Sequence, residues 1–564
     1  MSQSPIVECV PNFSEGSDLE VLRQITDAIE AVDGITLLDV DPGEATNRTV
    51  VTFVGSPPAV EEAAFRAIAC AAELIDMSGH RGAHPRMGAT DVCPFVPVAG
   101  ITMAECAEMA RRVGARVGSE LQIPIYLYEA AASTPERQNL ATVRTGEYEG
   151  LAARFGDLTQ GPDHGPRAMD DNVRRTGATA VGARPFLVAY NVNLNTRNTR
   201  KAMKIAARIR EKGIIRRDER NEIVRDAEGK AVRDPGMFQK VKAIGWFIEE
   251  YDRCQVSINF VDHRVSPIHE VVDAIRRVAD EEGVVVTGSE LVGLIPLEAM
   301  LAAGRHYLRR QGLNPGAPES DVIETAIRSL GLRDLGPFDP AERIIERRIA
   351  SDGPLVKETL RGFADRLASS APAPGGGSVA ALCGALSTGL AAMVAQLTTG
   401  KKGYEALGDA VDEMALAAQG LREGFLADVD TDTAAFDGLM AAFGLPRKTP
   451  EEQAARKEAI QAATTHAIEV PLRVLERAAE AVALVEVAVT GNRNARSDAG
   501  VAALTAEAAA EGAWYNVCIN LEGLDDADAA RRYRERANTA LAAVTLRTTA
   551  LRAQVRTQLG GFDA

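Results

Sequence analysis

His80, Arg81, His84, Arg86 and Asp91 all fall within the run SGHRGAHPRMGATDVCPFVPV, Ser78–Val98. Gly79, Gly82, Pro85 and Gly88 punctuate that run and forbid regular helix, so its polar side chains must stand on a shaped loop. Pro85 holds the backbone of His84 extended, which lets the ring be aimed. Imidazole titrates near neutrality, which suits His84 to proton transfer; a loop histidine bonded to a backbone carbonyl is the competing reading. His80 and His84 have the four-residue spacing of a metal pair on a helix. The glycines and proline remove that helix and no third ligand stands nearby, so no metal is expected.

A second motif, APAPGGGSVAALCGAL (Ala371–Leu386), looks like a linker but leads straight into an apolar small-residue helix. Gly375, Gly376 and Gly377 would there expose backbone N–H groups and the positive helix end, a place for carboxylate or phosphate. Neither nucleotide-binding glycine pattern is present. Lys401 and Lys402 close the same helix. A third motif, LADVDTDTAAFDG (Leu426–Gly438), carries Asp428, Asp430 and Asp432. A calcium loop needs glycine where Thr433 stands, and Phe425, Val429, Phe436 and Leu439 keep a helical stripe through the run. The aspartates therefore sit on a helix flank, either solvated or, near a buried face, as a catalytic carboxylate. His466 reads as a surface residue.

Elements that could position these groups alternate in the first half. Strands at Ile6–Val10, Ile35–Val40, Thr49–Val54 and Val92–Val98 interleave with helices Asp18–Ala31 and Pro57–Ile75 in βαββαβ order. Helix Met103–Leu121 and strand Ile125–Tyr128 extend that unit. The order repeats with strands Phe186–Leu194, Ile244–Glu249, Gln255–Val261 and Val284–Thr287 and helices Arg197–Lys212 and Pro267–Glu281. Arg216–Pro235 reads as a solvated hairpin or loop between them. The expected fold is α+β, two ferredoxin-like α/β sandwiches followed by an all-α helix bundle. The boundaries expected are 1–180 and 181–337 for the sandwiches, 338–354 for a linker within the Pro- and Gly-punctuated Gly336–Pro354, and 355–564 for the bundle.

The 564 residues exceed one core, and 25% charged with 46% hydrophobic residues is ordinary for globular protein. A net charge of −16 argues against nucleic acid or a membrane surface as partner. Seven scattered cysteines without a C-x-x-C pair, and a start lacking a signal pattern, suggest a reduced, cytoplasmic protein. Ser378–Gly400 is uncharged and long enough to span a bilayer, yet its small residues and bare flanks favour tight packing in a bundle.

VECVPNFSEG (Val7–Gly16), LLDVD (Leu37–Asp41), NRTV (Asn47–Val50), HPRMGATDVCPF (His84–Phe95) and APGGGSVAA (Ala373–Ala381) together resemble the formimidoyltransferase-cyclodeaminase family, over almost the whole chain and in the same domain order. The resemblance implies transfer of the formimino group from N-formimidoyl-L-glutamate to N5 of tetrahydrofolate, then cyclisation to 5,10-methenyltetrahydrofolate with loss of ammonia. It implies polyglutamylated tetrahydrofolate as co-substrate, no metal, and a homo-oligomer of the octameric kind. The family's transferase histidine falls on His84 and its cyclodeaminase aspartate on Asp432, where VDTDTAAF replaces VDADAEAF. Its folate segment corresponds to Gly161–Ala180, with Gly165, Pro166 and Gly177 at the matching ends and a longer, more charged interior. Arg48, Arg86 and Lys401 are the expected partners for substrate carboxylates, alongside Gly375, Gly376 and Gly377. Two other readings stand beside the bifunctional enzyme: a folate-binding scaffold with one or both activities lost, and a metal-dependent hydrolase using His80 and His84.

Overall fold

β-branched alternation builds the first sheet. In the strand Arg48–Gly55, Val51 and Phe53 pack with Ile25 and Ile29 of the helix Leu19–Glu30, while Arg48, Val50 and Thr52 stay half-buried. The structure, a computed structural model, describes residues 5–43, 47–81, 86–157, 159–349 and 353–560. Its first sheet comprises β1 (Ile6–Cys9), β2 (Asn12–Phe13), β3 (Ile35–Gly43), β4 (Arg48–Gly55), β5 (Thr90–Ala99), β6 (Ile125–Glu129) and β7 (Thr179–Ala183). The order is β3, β4, then β1 with β2, then β5, β7 and β6. The strands from β3 to β5 pair antiparallel, whereas β7 runs parallel to both β5 and β6. Helices α1 (Leu19–Glu30), α2 (Pro57–Leu74) and α3 (Met103–Arg116) share a core with this sheet.

Strand β7 has no counterpart in the sequence reading. Its sequence, TAVGA, has a single β-branched apolar residue, but a Cβ at Gly182 would stand 2.6 Å from the Tyr128 ring, so smallness is what lets β7 pair there. On the opposite sheet face, the chain between β6 and β7 lays down α4 (Leu140–Val143), α5 (Leu151–Phe155) and α6 (Asp171–Thr176). Met87, Val92, Tyr126, Tyr128, Leu151 and Val173 form a smaller core there.

The second sheet repeats the order with β8 (Val188–Leu194), α7 (Thr199–Ile209), the short hairpin pair β9 (Ile214–Ile215) and β10 (Arg233–Asp234), β11 (Val241–Ile248), β12 (Arg253–Phe260), α8 (Ile268–Glu281) and β13 (Val286–Val292). Its order, β11-β12-β8-β13, is antiparallel throughout and is the ferredoxin-like arrangement expected. Two strands are displaced from their expected positions. β11 starts three residues early, because Val241 and Ala243 alternate inward between exposed lysines, and β13 runs on through Gly288–Val292.

Past β13 come α9 (Leu297–Arg310), α10 (Glu319–Leu330), α11 (Pro340–Arg343), α12 (Ile345–Ile349) and α13 (Leu360–Leu367). The long helices α14 (Gly376–Thr398), α15 (Gly408–Phe443), α16 (Pro450–Thr490), α17 (Arg496–Leu521) and α18 (Ala527–Gln558) follow. Contacts divide the chain into Met1–Ala299 with Leu332–Ile349, and Met300–Gly331 with Ala350–Ala564. Compactness thus departs from chain order: part of the stretch read as 181–337 groups with the helices. Asn314 shows why, since its buried amide donates to Thr399 and Asp412, both at 2.9 Å.

Helix α14 is long and apolar enough, by length and composition, to cross a membrane. It packs instead against α15, α16 and α17, and Gly377, Ala381, Gly384 and Ala391 are among the small residues buried in that approach.

Strand β1 points Glu8 away from α1 and α2, at 5% exposure. Burial pushes its carboxyl up to about 7, and Arg184 pulls only part of the way back. Because the folded value lies above the unfolded 4.5, the stability linked to Glu8 is complete below about pH 4.5 and is lost as pH rises through 7. Glu8→Gln should remove this loss. Compared with wild type in urea titrations, the variant is expected to gain roughly 3 kcal/mol of relative stability between acid pH and pH 8.

Two candidate active sites

The first site is built around the loop before β5. Its entry is tied by the Met77 N–H donating to the Arg175 carbonyl (2.8 Å). Its exit is tied by Ala89 N–H to Thr176 (2.7 Å) and Ala178 N–H to Met87 (3.0 Å). Gly177, at φ +67°, sits where a Cβ would overlap the Met87 carbonyl, and Gly165, at φ +82°, is pressed in the same way on the Ile123 carbonyl. Both glycines expected to meet folate are thus points where two backbones touch; Pro166 follows Gly165, half-buried. His84 lies outside the described residues.

His80 is committed within the protein. Its Nε2 is 3.2 Å from the Asn47 carbonyl and its Nδ1 is 3.4 Å from Arg86 Nε. A guanidinium donor on Nδ1 needs a lone pair there, so Nε2 carries the proton and the ring is neutral. Burial, with Arg86 adding repulsion, holds its pKa below the usual value. Arg86, expected to meet substrate carboxylates, is spanned by Glu149 (2.7 Å) and Glu147 (3.2 Å), and Glu149 raises its pKa. Its charge is largely answered by these acids. With Arg81 and Gly146 the three line an open cleft of about 470 Å³.

Arg48 is differently placed. Asp91, at 1% exposure, accepts the Met87 N–H at 3.0 Å and pairs with Arg144. Arg48 feels the same carboxylate, as well as Asp41 and the Arg144 cation. Among the described residues, its own Nε and that of Arg144 have no hydrogen-bond partner. The two guanidiniums stand beside one buried acid, Asp91, with Asp41 also acting on Arg48, and a guanidinium N–H suits a carboxylate ligand. Arg144 was missed in the sequence because nothing local marks it; Asp91, in the motif itself, was visible without a role.

The second site lies in the helical unit. Asp432 on α15 meets the start of α14, which has Gly375 at its N-cap and no side-chain cap. A Cβ at Gly377 would overlap the Asp432 carboxylate, so glycine is what allows the approach. The Ser378 hydroxyl has one proton and lies within reach of the Val429 carbonyl at 2.8 Å, Asp432 at 3.2 Å and the Thr433 hydroxyl at 3.3 Å. Burial raises the Asp432 pKa, and the Ser378 hydroxyl and backbone N–H oppose that rise. An incompletely solvated carboxyl of this kind is suited to taking and returning a proton. Asn516 stands near Gly376.

The neighbouring aspartates have other work. Asp428, 2% exposed, is clamped by Arg473 (2.7 Å) and Arg477. Asp430 accepts the Leu355 and Val356 N–H groups at 2.8 and 3.2 Å. Lys401 is exposed beyond the far end of α14, roughly 33 Å along its axis from Gly376, so the fold does not bring it to Asp432 within this unit. His466 is exposed, as expected.

Gly377→Ala should therefore displace Asp432 and lower cyclisation about 10²-fold while leaving transfer unchanged. Separate assays of the two half-reactions check this.

Three family descriptions match in succession: formiminotransferase domain, N-terminal subdomain, over residues 6–184; formiminotransferase domain over 189–350; and formiminotransferase-cyclodeaminase over 359–539. Glutamate formimidoyltransferase of Streptococcus pyogenes serotype M1 is 42% identical over 304 residues, 54% of this chain and 93% of its own. Methenyltetrahydrofolate cyclohydrolase of Methylorubrum extorquens is 45% identical over 170 residues, 30% of this chain and 82% of its own. Formimidoyltransferase-cyclodeaminase of Mus musculus is 42% identical over 527 residues, 93% of this chain and 94% of the mouse protein. With both halves matched in one order along one polypeptide, the chain belongs to the formimidoyltransferase-cyclodeaminase family.

Proposed function

We propose that His84 and Asp432 divide two successive one-carbon reactions between the two sites. The chain is a bifunctional folate enzyme of histidine breakdown. It moves the formimino group of N-formimidoyl-L-glutamate to N5 of tetrahydrofolate, then closes N10 onto that carbon, releasing ammonia and 5,10-methenyltetrahydrofolate.

In the first step N5 attacks the amidine carbon and a tetrahedral intermediate forms. His84 takes the N5 proton and returns it to the glutamate nitrogen as the C–N bond breaks, for about 10²- to 10⁴-fold acceleration. The guanidiniums of Arg48 and Arg144 suit a glutamate carboxylate. In the second step N10 attacks the protonated formimino carbon. Asp432, as carboxylate, takes the N10 proton and passes it to the amino group, which leaves as ammonia. The carbon centre is cationic before and after, so an anion beside it stabilises the path.

The observation that carries this reading is Asp432, half-buried against a glycine-opened helix end with its pKa raised. Incubation with tetrahydrofolate and formimidoylglutamate should produce methenyl absorbance and ammonia. Folate binding without either product would leave a scaffold. Chelators should have no effect, because neither step needs a Lewis acid. Polyglutamylated folate as the working co-substrate, a homo-oligomer and a cytoplasmic setting complete the proposal, the last in keeping with seven free cysteines.

A further inference from the structure

Helix α14 begins without a cap of its own. Its N-cap is Gly375, which has no side chain to offer, and its first internal bond runs from the Val379 N–H to the Gly375 carbonyl at 3.1 Å. The N–H groups of Gly376, Gly377 and Ser378 therefore find no partner within the helix. Asp432 of α15 takes the place of the missing cap. Its carboxylate stands against Gly377 and is acted on by the Ser378 N–H. An anion is the favourable sign at that helix end.

Ser378, at 0% exposure, adds a second donor. Its hydroxyl lies 2.8 Å from the Val429 carbonyl, 3.2 Å from Asp432 Oδ2 and 3.3 Å from the Thr433 hydroxyl. Thr433 can donate to the serine oxygen, which leaves the serine proton for one of the other two. Val429 lies mid-helix, where its carbonyl already accepts the N–H four residues on, so giving up the serine costs it little. An ionised carboxylate is a stronger acceptor than a neutral one. The serine proton thus has two resting places, and the charge on Asp432 selects between them.

Among the described residues, little else answers that charge. Helix α14 carries no charged side chain, and burial pushes its Cys383 thiol up. Asp428 repels Asp432 from one turn away, though Arg473 and Arg477 of α16 clamp it. Asp430 is held by the Leu355 and Val356 N–H groups, and α17 brings the neutral Asn516 to Gly376.

We propose that Ser378 is a positioning residue for cyclisation: its hydroxyl turns from the Val429 carbonyl to Oδ2 when Asp432 is charged, and leaves Oδ1 to receive the N10 proton. When Asp432 takes that proton the hydroxyl swings back to Val429, and it returns as the proton passes to the leaving amine. No bond to the serine oxygen is made or broken. The assignment rests on the cyclodeaminase reading of Asp432.

The test is the pH profile for cyclisation of supplied 5-formimidoyltetrahydrofolate by the full chain, in wild type, Ser378→Ala, Ser378→Cys and Asp432→Asn. Without the hydroxyl the charged carboxylate loses a donor, so the acid limb of Ser378→Ala should move up by about one pH unit. Below that limb kcat should fall about 10-fold while KM changes by less, and transfer should be unchanged. Cysteine keeps nearly the shape of serine with a weaker donor, so its limb should move the same way by less. It decides the matter should the alanine variant fold poorly. An acid limb that stays put overturns the proposal. So does a loss of rate equal at every pH, which is what a packing defect gives. Asp432→Asn that cyclises like wild type sinks the reading of Asp432 itself. An inactive Asp432→Asn beside an unmoved serine limb sinks only the role of Ser378.

Discussion

His84→Ala is expected to lose formimidoyl transfer by about 10²- to 10⁴-fold and still cyclise 5-formimidoyltetrahydrofolate supplied to it. The segment that carries His84 leads into β5. Its exit is clamped to residues 176–178 and its neighbour His80 is held neutral between Asn47 and Arg86. His80 therefore cannot take over, because both ring nitrogens are occupied. Replacing His80 in the same background should change little more. The measurement is release of glutamate in the transfer assay, beside methenyl formation from the preformed intermediate. Transfer that survives the loss of His84 would remove the histidine from its assigned step.

Asp432→Asn is expected to do the reverse: transfer continues, 5-formimidoyltetrahydrofolate accumulates and ammonia stops. Because the carboxylate is the proton-accepting form, cyclisation by wild type should fall as pH falls through the Asp432 pKa, which burial raises. The same burial gives a stability signature. A carboxyl whose folded pKa is raised contributes fully below its unfolded value, 3.8, and loses that contribution as pH rises through the folded one. The asparagine variant should therefore melt higher than wild type at neutral pH, with the gap closing in acid. Higher melting with cyclisation lost marks a residue kept for chemistry. Lower melting would mean that the aspartate is structural.

The assignments of His84 and Asp432 rest on resemblance to a family, and the bare patterns around them reach less far. The α+β half and the helical half were readable because alternation in segments such as Arg48–Gly55 and stripes such as Phe425, Val429 and Phe436 report burial directly. Strand β7 was not readable, since its glycine and alanines answer to the Tyr128 ring and carry no β signature of their own. The three aspartates of α15 look alike in sequence. Their roles separate only through distant partners: Arg473 and Arg477 for Asp428, backbone amides for Asp430, and Gly377 with Ser378 for Asp432. Arg86 and Lys401 stand out in the sequence by charge alone, and charge says nothing of a neighbour such as Glu149 or of the length of a helix.

The segment Met300–Gly331 has a practical bearing on separating the activities genetically. A cut at residue 355 follows the linear map, but it strips the bundle of the strand of chain that carries Asn314. Asp412 and Thr399 then lose the amide that bonds them, and Gln419 loses the Gly316 carbonyl at 2.9 Å. A bundle cut from this chain would need that piece grafted back, or its polar sockets rewritten as apolar ones.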